Sequence, residues 1–220
     1  MSVQIMLDDA FATARGLYWE KGSRILSTIA CLFIIPLIIG YVVELWKGGK
    51  PHVEELPWGR LFIDGIKLLV IQLIYLIPLI LVVGIFFLAL LFPFRYIPPQ
   101  DFLQMIPALM VGLVLFVVLY VIIVLLSTIG NVRFARTGKM GEAFNFGAII
   151  EHIGKIGWIR YIWLLIVLDV VILLSVAGLL MYSSSMVVAI VWIILYPGVI
   201  IFCARYISLV YDSAALTPPA

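Results

Sequence analysis

Charge is scarce in this sequence: only 12% of its 220 residues are Asp, Glu, Lys or Arg. A soluble domain cannot keep a wettable surface on so little, so that class is excluded. The formal net charge of +2 is too small to attract nucleic acid. Histidine occurs twice, at His52 and His152, and cysteine twice, at Cys31 and Cys203. With neither an HExxH frame nor a CxxC pair, no metal site and no redox motif can be recognised. Both cysteines fall inside apolar runs and read as small packing residues; the histidines read as solvated surface groups. The phosphate-loop frame is absent. Gly48-Gly49-Lys50 and Gly138-Lys139 read instead as helix stops followed by a basic anchor. Ser127, Thr128 and Ser183–Ser185 have no triad partner, so no hydrolase, kinase or redox site assembles and no cofactor is expected.

What the chain has in abundance is apolar surface, 65% of its residues. Four runs, Leu68–Phe94, Met105–Val132, Tyr161–Tyr182 and Met186–Ala204, can each cross a hydrocarbon core of about 30 Å at roughly 1.5 Å per residue. Only the third carries a charge, at Asp169. A fifth run, Ile25–Val43, is of marginal length. Strict alternation is missing throughout, which argues against a β-barrel. In lipid the backbone must then satisfy itself within helices. The expected fold is an all-α integral membrane bundle of four to five spans, a single membrane domain over residues 1–220.

Between the spans the pattern turns amphipathic. Residues 3–22 place Met6, Leu7, Ala10, Phe11, Ala14, Leu17 and Tyr18 on one helical face, which predicts an amphipathic helix in the membrane interface. Acids precede any basic region and no small-residue cleavage pattern follows, so the segment does not read as a signal peptide. A short second interfacial helix is expected over Glu54–Lys67, with Leu61, Phe62 and Ile66 facing one way. In Gly141–Lys155 the apolar stripe is Phe146, Ile149, Ile150 and Ile153, with Asn145, His152 and Lys155 opposite.

Gly40–Lys67 and Gly130–Arg160 share an order of features: Gly-x-Val, then Gly-Lys, an acid (Glu55, Glu142), an aromatic-Gly pair (Trp58-Gly59, Phe146-Gly147), an apolar pair, and an acid with a lysine (Asp64 and Lys67, Glu151 and Lys155). We read this as internal duplication of a unit made of an interfacial helix and an apolar hairpin, with a short unit at 3–46, a second at 47–132 and a third at 133–211. In the short unit, Ile25–Val43 either crosses once or re-enters, with Pro36 forcing the turn. Ten basic residues lie in loops 47–67 and 133–160 and at the C-terminus, against Arg95 alone in loop 95–104. The positive-inside rule therefore places the basic loops and the C-terminus in the cytoplasm of a cell membrane.

Two stretches, GYVVELWKGGKPHVEELPWGRLFIDGIKLLVIQLIYLIPLI and NVRFARTGKMGEAFNFGAII, resemble an uncharacterised family of small multi-pass membrane proteins, found largely in archaea and catalogued as a domain of unknown function. The resemblance covers nearly the whole chain. Its most specific parts are Glu55-Leu56-Pro57, Leu61-Phe62, Asp64-Gly65, Lys67 and Ala135-Arg136-Thr137-Gly138-Lys139. Val42–Lys47 departs from the pattern by lacking arginine. The resemblance implies a helical membrane protein and carries over no substrate, activity or catalytic residue.

Two groups of residues could carry function. Asp169 lies nine residues after Arg160, so about 14 Å into a straight helix. A carboxyl at that depth is costly unless paired or hydrated, which makes it a candidate site by default. Gln72, Tyr75, Tyr120 and Tyr196 lie at comparable or shallower depths and could join it in a polar cluster, or serve with it as interhelical glue. The second group is basic and aromatic: Lys50, Trp58, Arg60, Lys67, Arg133, Arg136, Lys139, Lys155, Trp158 and Arg160 suit contact with anionic lipid headgroups. From these groups we expect a non-enzymatic protein that organises the bilayer's lipid or another membrane protein at its cytoplasmic face. The alternative is a small transporter or permeation pathway with Asp169 at its centre.

Overall fold

Long runs of Leu, Ile and Val can satisfy their backbone in lipid only within helices, and the computed structural model of the chain is built of them. It describes residues 2–19, 35–48, 57–94, 106–182 and 186–216. These form seven α-helices: α1 (Val3–Trp19), α2 (Ile35–Trp46), α3 (Trp58–Phe94), α4 (Ile106–Thr137), α5 (Phe146–Ile156), α6 (Trp158–Tyr182) and α7 (Met186–Asp212). Short 3-10 turns follow at Met140–Phe144 and Ser213–Leu216, and there is no strand among the described residues. Four helices, α3, α4, α6 and α7, are long and apolar enough to cross a membrane.

These four form two antiparallel hairpins. Along α3 and α4, Gly112 faces the Phe86 ring and Gly130 faces the Tyr75 hydroxyl. Between α6 and α7, the Tyr206 hydroxyl donates to the Leu164 carbonyl at 3.1 Å. The hairpins are joined where the Tyr161 hydroxyl of α6 donates to the Leu125 carbonyl of α4 at 2.8 Å. The starts of α3 and α6 thus share one end of the bundle with the ends of α4 and α7.

That end holds the core. Leu45, Leu61, Ile71, Ile129, Phe134, Ile149, Ile153, Tyr161, Leu164, Ile201 and Tyr206 are fully buried there, because α2, α5 and the first 3-10 turn pack among the long helices. Away from it, Leu73–Leu88 of α3 and Met110–Ile122 of α4 are largely exposed, as lipid-facing spans are.

The helix expected over Glu54–Lys67 is not separate. From Trp58 onward it is the first part of α3, which runs unbroken for 37 residues; Glu54 to Leu56 lie outside the described residues. Nothing in Trp58–Lys67 interrupts the hydrogen-bond ladder, whereas the corresponding later segment is cut in two at Gly157. There φ is +92°, and the Gly157 N–H turns back to the Ile153 carbonyl at 2.9 Å, so α5 stops and α6 starts as a separate helix at Trp158. The expected stop at Gly138 is present: its N–H donates to the Phe134 carbonyl at 2.8 Å and ends α4.

The N-terminal segment packs lengthwise on α7 through its buried residues Met6, Ala10 and Ala14. Asp9 meets Arg205 and the Phe11 ring meets Phe202, so the two helices run antiparallel. Helix α2 has 12 residues, about 18 Å at 1.5 Å per residue, and is too short to span. Whether the chain crosses or re-enters before it depends on residues 25–34, which lie outside the described residues, as do the turns at 95–104 and 183–185.

Candidate functional site

Among the described residues most charged side chains gather at the packed end, and many of them are paired. Where α2 crosses α3, Lys47 lies 2.6 Å from Glu44 and 3.2 Å from Asp64. Arg60 approaches Glu44 at 3.4 Å and Asp64 at 3.9 Å, and Lys67 reaches Asp64 at 3.1 Å. Two acids are thus shared by three cations. The local sequence places them: Glu44 in the last turn of α2 lies three before Lys47, just past its end, and Asp64 lies four after Arg60 and three before Lys67 on α3, on one helical face. Glu44 is buried, and burying its carboxylate is tolerable only because Lys47 and Arg60 accompany it.

A second group ties α4, α5 and α7 together. Arg133 pairs with Glu142 of the 3-10 turn, and the Tyr75 hydroxyl donates to the Ala143 carbonyl beside it. Arg136 places one guanidinium nitrogen 2.8 Å from each Asp212 carboxylate oxygen and 3.1 Å from the Ser208 hydroxyl, with the group lying over the Tyr211 ring. His152 stacks on that same ring, centroids 4.0 Å apart, and its Nε2 donates to the Tyr211 carbonyl at 3.0 Å. Burial holds the His152 pKa below the usual histidine value; Arg133 and Lys155 act the same way, and the Tyr211 bond and Asp212 oppose them. Lys155 pairs with Glu151 at 2.7 Å, which keeps that carboxyl below its ordinary range, and Arg205 pairs with Asp9 at 2.7 Å.

The sequence-predicted basic and aromatic residues therefore divide. Arg133, half-buried, and Arg136, at the exposed end of α4, both tie helices to one another. Trp58, Arg60 and Lys67 on α3, Lys139 after α4, and Lys155 and Trp158 near the α5–α6 break keep a substantial part of their surface outside. Arg160 is half-buried, and Lys50 and His52 lie outside the described residues. The reading of His152 as a solvated residue opposite the apolar stripe is corrected: it is half-buried on Tyr211, while Phe146 and Ile150 of that stripe are exposed. The stripe is narrower than the pattern indicates, because α5 buries Ile149, Ile153 and Ile156 and leaves its flanks open.

The intramembrane candidates do not meet. Tyr75 is buried and turned to the Ala143 carbonyl, whereas Gln72, Tyr120 and Tyr196 are exposed, Tyr120 stacking on Phe116. Asp169 is exposed on α6 among Ile166, Val170, Ile172, Leu173 and Val176. No hydrogen bond joins these five among the described residues. The reason is angular: α6 turns Leu164, Leu165 and Leu168 inward, and the next position, about 100° further round at 3.6 residues per turn, points away from the bundle. Glu44 and Asp212 were not singled out by the sequence reading. The available signal was the spacing of Glu44 to Lys47 inside an otherwise apolar run.

No group of three or more His, Cys, Asp or Glu side chains among the described residues could hold a metal ion. The assembly is an all-α membrane bundle, four potential spans fastened together at one ion-paired end. Residues 25–203 match the family described as "Protein of unknown function (DUF4013)", and the chain belongs to that family. No curated protein and no solved structure matches it.

Proposed function

We propose that this is a non-enzymatic, multi-pass membrane protein that organises anionic lipid around its charged end, with that end in the cytoplasm. The observation that carries the reading is the outward rim of Trp58, Arg60, Lys67, Lys155 and Trp158, placed where α3 and α6 leave the packed core for their apolar stretches. Tryptophan favours that depth because its ring is apolar and its N–H is not. Each basic residue near an anionic surface contributes roughly 1 kcal/mol. Asp64 and Glu151 offset part of this, so attraction comes from cations that share an acid with the protein and turn their remaining donors outward. The repeat reading puts Asp64 with Lys67 and Glu151 with Lys155 at corresponding positions of the sequence, and in each case acid and lysine pair, at 3.1 and 2.7 Å.

The permeation reading requires a polar route to Asp169, and the side chains around that carboxyl are Ile, Leu and Val; the geometry favours the first reading. Quenching of tryptophan fluorescence by brominated lipids tests it in a protein retaining only Trp58 and Trp158. Brominated anionic lipid is expected to quench more strongly than brominated zwitterionic lipid, and the Arg60→Gln, Lys67→Gln, Lys155→Gln triple variant to remove the difference. Equal quenching by the two lipids in the unmodified rim would refute the reading, and a partner protein would then be sought for this end.

A further inference from the structure

Helix α6 has an inner face, where Tyr161, Leu164, Leu165 and Leu168 are buried, and an outer face with a different regularity. Ile159, Ile162, Ile166, Asp169, Leu173 and Val176 follow one another at intervals of three, four, three, four and three residues. That is the a/d spacing of a coiled-coil seam, and every member is exposed, Ile159 by 78% and Leu173 by 66%. Asp169 sits within this seam at mid-span and has no hydrogen-bond or ionic partner among the described residues. Thr128 and Ser175 bond to their own helix, at the Val124 and Val171 carbonyls, each at 2.8 Å, while Gln72, Tyr120 and Tyr196 are exposed without a hydrogen bond among the described residues but are uncharged. An unpartnered carboxyl facing hydrocarbon is the costly exception.

We infer that this face of α6 is the contact between two copies of the chain, with the two Asp169 carboxyls hydrogen-bonded to each other. Two copies inserted in the same orientation present parallel α6 helices, and a two-fold axis along the membrane normal brings each seam residue to the level of its own mate. Asp169 therefore meets Asp169 without further adjustment. Carboxyls sharing a proton are self-complementary, one O–H donating to the other's oxygen, so the contact needs no opposite charge. A single polar position in an otherwise apolar seam also fixes its register. The contact does not depend on headgroup binding.

The test uses the full chain in lipid bilayers, with Cys31→Ala and Cys203→Ala in the background. Single-molecule counting across a dilution series is expected to show a reversible dimer, and single cysteines at Ile166 and Leu173 to form disulfide-linked dimers while Leu174→Cys does not. Asp169→Leu is expected to weaken dimerisation about 3- to 20-fold, the range of interhelical hydrogen bonds in membranes. Asp169→Asn, which keeps a donor and an acceptor, is expected to stay close to wild type. Thermal stability of the monomer, measured at high dilution, controls for misfolding of either variant. A chain monomeric at every density, cross-linking at Leu174 but not at the seam, or an Asp169→Leu protein that dimerises as tightly as wild type would each overturn the proposal.

Discussion

Gly40 of α2 and Gly65 of α3 are packed against each other's helices: a methyl group on Gly40 would overlap the Leu61 carbonyl, and one on Gly65 would overlap the Pro36 carbonyl and crowd the Gly40 nitrogen. The relationship is reciprocal, because residues 36 and 40 of one helix oppose 65 and 61 of the other, so the backbones touch over a full turn. Close approach through small residues is how helices associate where lipid competes for every apolar contact. It also brings Glu44 and Lys47 within reach of Arg60 and Asp64, so the ion network rests on two missing side chains.

Gly40→Ala and Gly65→Ala are therefore expected to destabilise the protein, each by about 1–3 kcal/mol, since backbone cannot move aside as a flexible side chain can. Gly59, also on α3, has nothing near its Cβ position. Gly59→Ala should be neutral or stabilise by up to about 1 kcal/mol through helix propensity. Denaturation in detergent separates the cases; equal stability for all three would mean that the helices do not touch here.

Tyr75 carries the second structural prediction. Its hydroxyl is the donor to the buried Ala143 carbonyl, and the ring packs against Phe144 at 5.3 Å between centroids. Tyr75→Phe keeps the ring and orphans the carbonyl, so a loss of about 1–3 kcal/mol is expected. Because the bond joins α3 to the 3-10 turn, faster proteolysis within Met140–Phe144 should accompany the loss. A Phe variant with unchanged stability and unchanged cleavage would contradict it.

What the sequence made legible follows from which signals are local. The spans could be read because about 20 apolar residues in a row have one solution in lipid; the stop at Gly138 could be read from glycine placed before a basic residue, whereas the break at Gly157 was not read. The merging of Trp58–Lys67 into α3 was not legible, since amphipathic periodicity looks the same whether a helix ends or continues into the membrane. The direction of Asp169 was hidden for a related reason. In α6 almost every residue is apolar, so no polar stripe distinguishes the face that meets α7 from the face that meets lipid. His152 was misplaced because its partner, the Tyr211 carbonyl, is 59 residues away, and a backbone acceptor leaves no trace in sequence.

The His152 environment also gives a pH dependence. Burial favours the neutral imidazole, so its folded pKa lies below its unfolded value, ordinarily 6.5. The neutral ring then contributes stability in full above about pH 6.5, and this contribution is lost as pH falls through the folded pKa. Wild type should therefore lose melting temperature between pH 6.5 and 5 more steeply than His152→Phe, which keeps the stack on Tyr211 without a titrating group. Glu151 works in the same direction but at lower pH, being a carboxylate held below its ordinary 4.5 by Lys155, so the windows can be resolved. Parallel curves for wild type and His152→Phe above pH 5 would remove His152 as the cause.

Arg136 fastens the end of α7 to α4 through Asp212 and Ser208, and its side chain also fills the space beside Gly48. The pair is partly exposed, with side-chain accessibilities of 27% and 43%, so solvent screening limits it. A double-mutant cycle between Arg136→Ala and Asp212→Asn is expected to give a coupling of roughly 0.5–1 kcal/mol, the upper part of the range for such pairs. The local effect should be larger than the global one, because Asp212 ends α7 and the following turn is held beside α5. Hydrogen exchange of amides 208–214 should accelerate in Arg136→Ala while those of α3 stay unchanged. Arg136→Lys should restore only part of the protection, since an ammonium can bridge to the carboxylate but lacks the planar fork that reaches both Asp212 oxygens and the Ser208 hydroxyl from over the Tyr211 ring. Full protection in Arg136→Ala would show that burial of Val210 and Ala214 alone keeps this end of the chain in place.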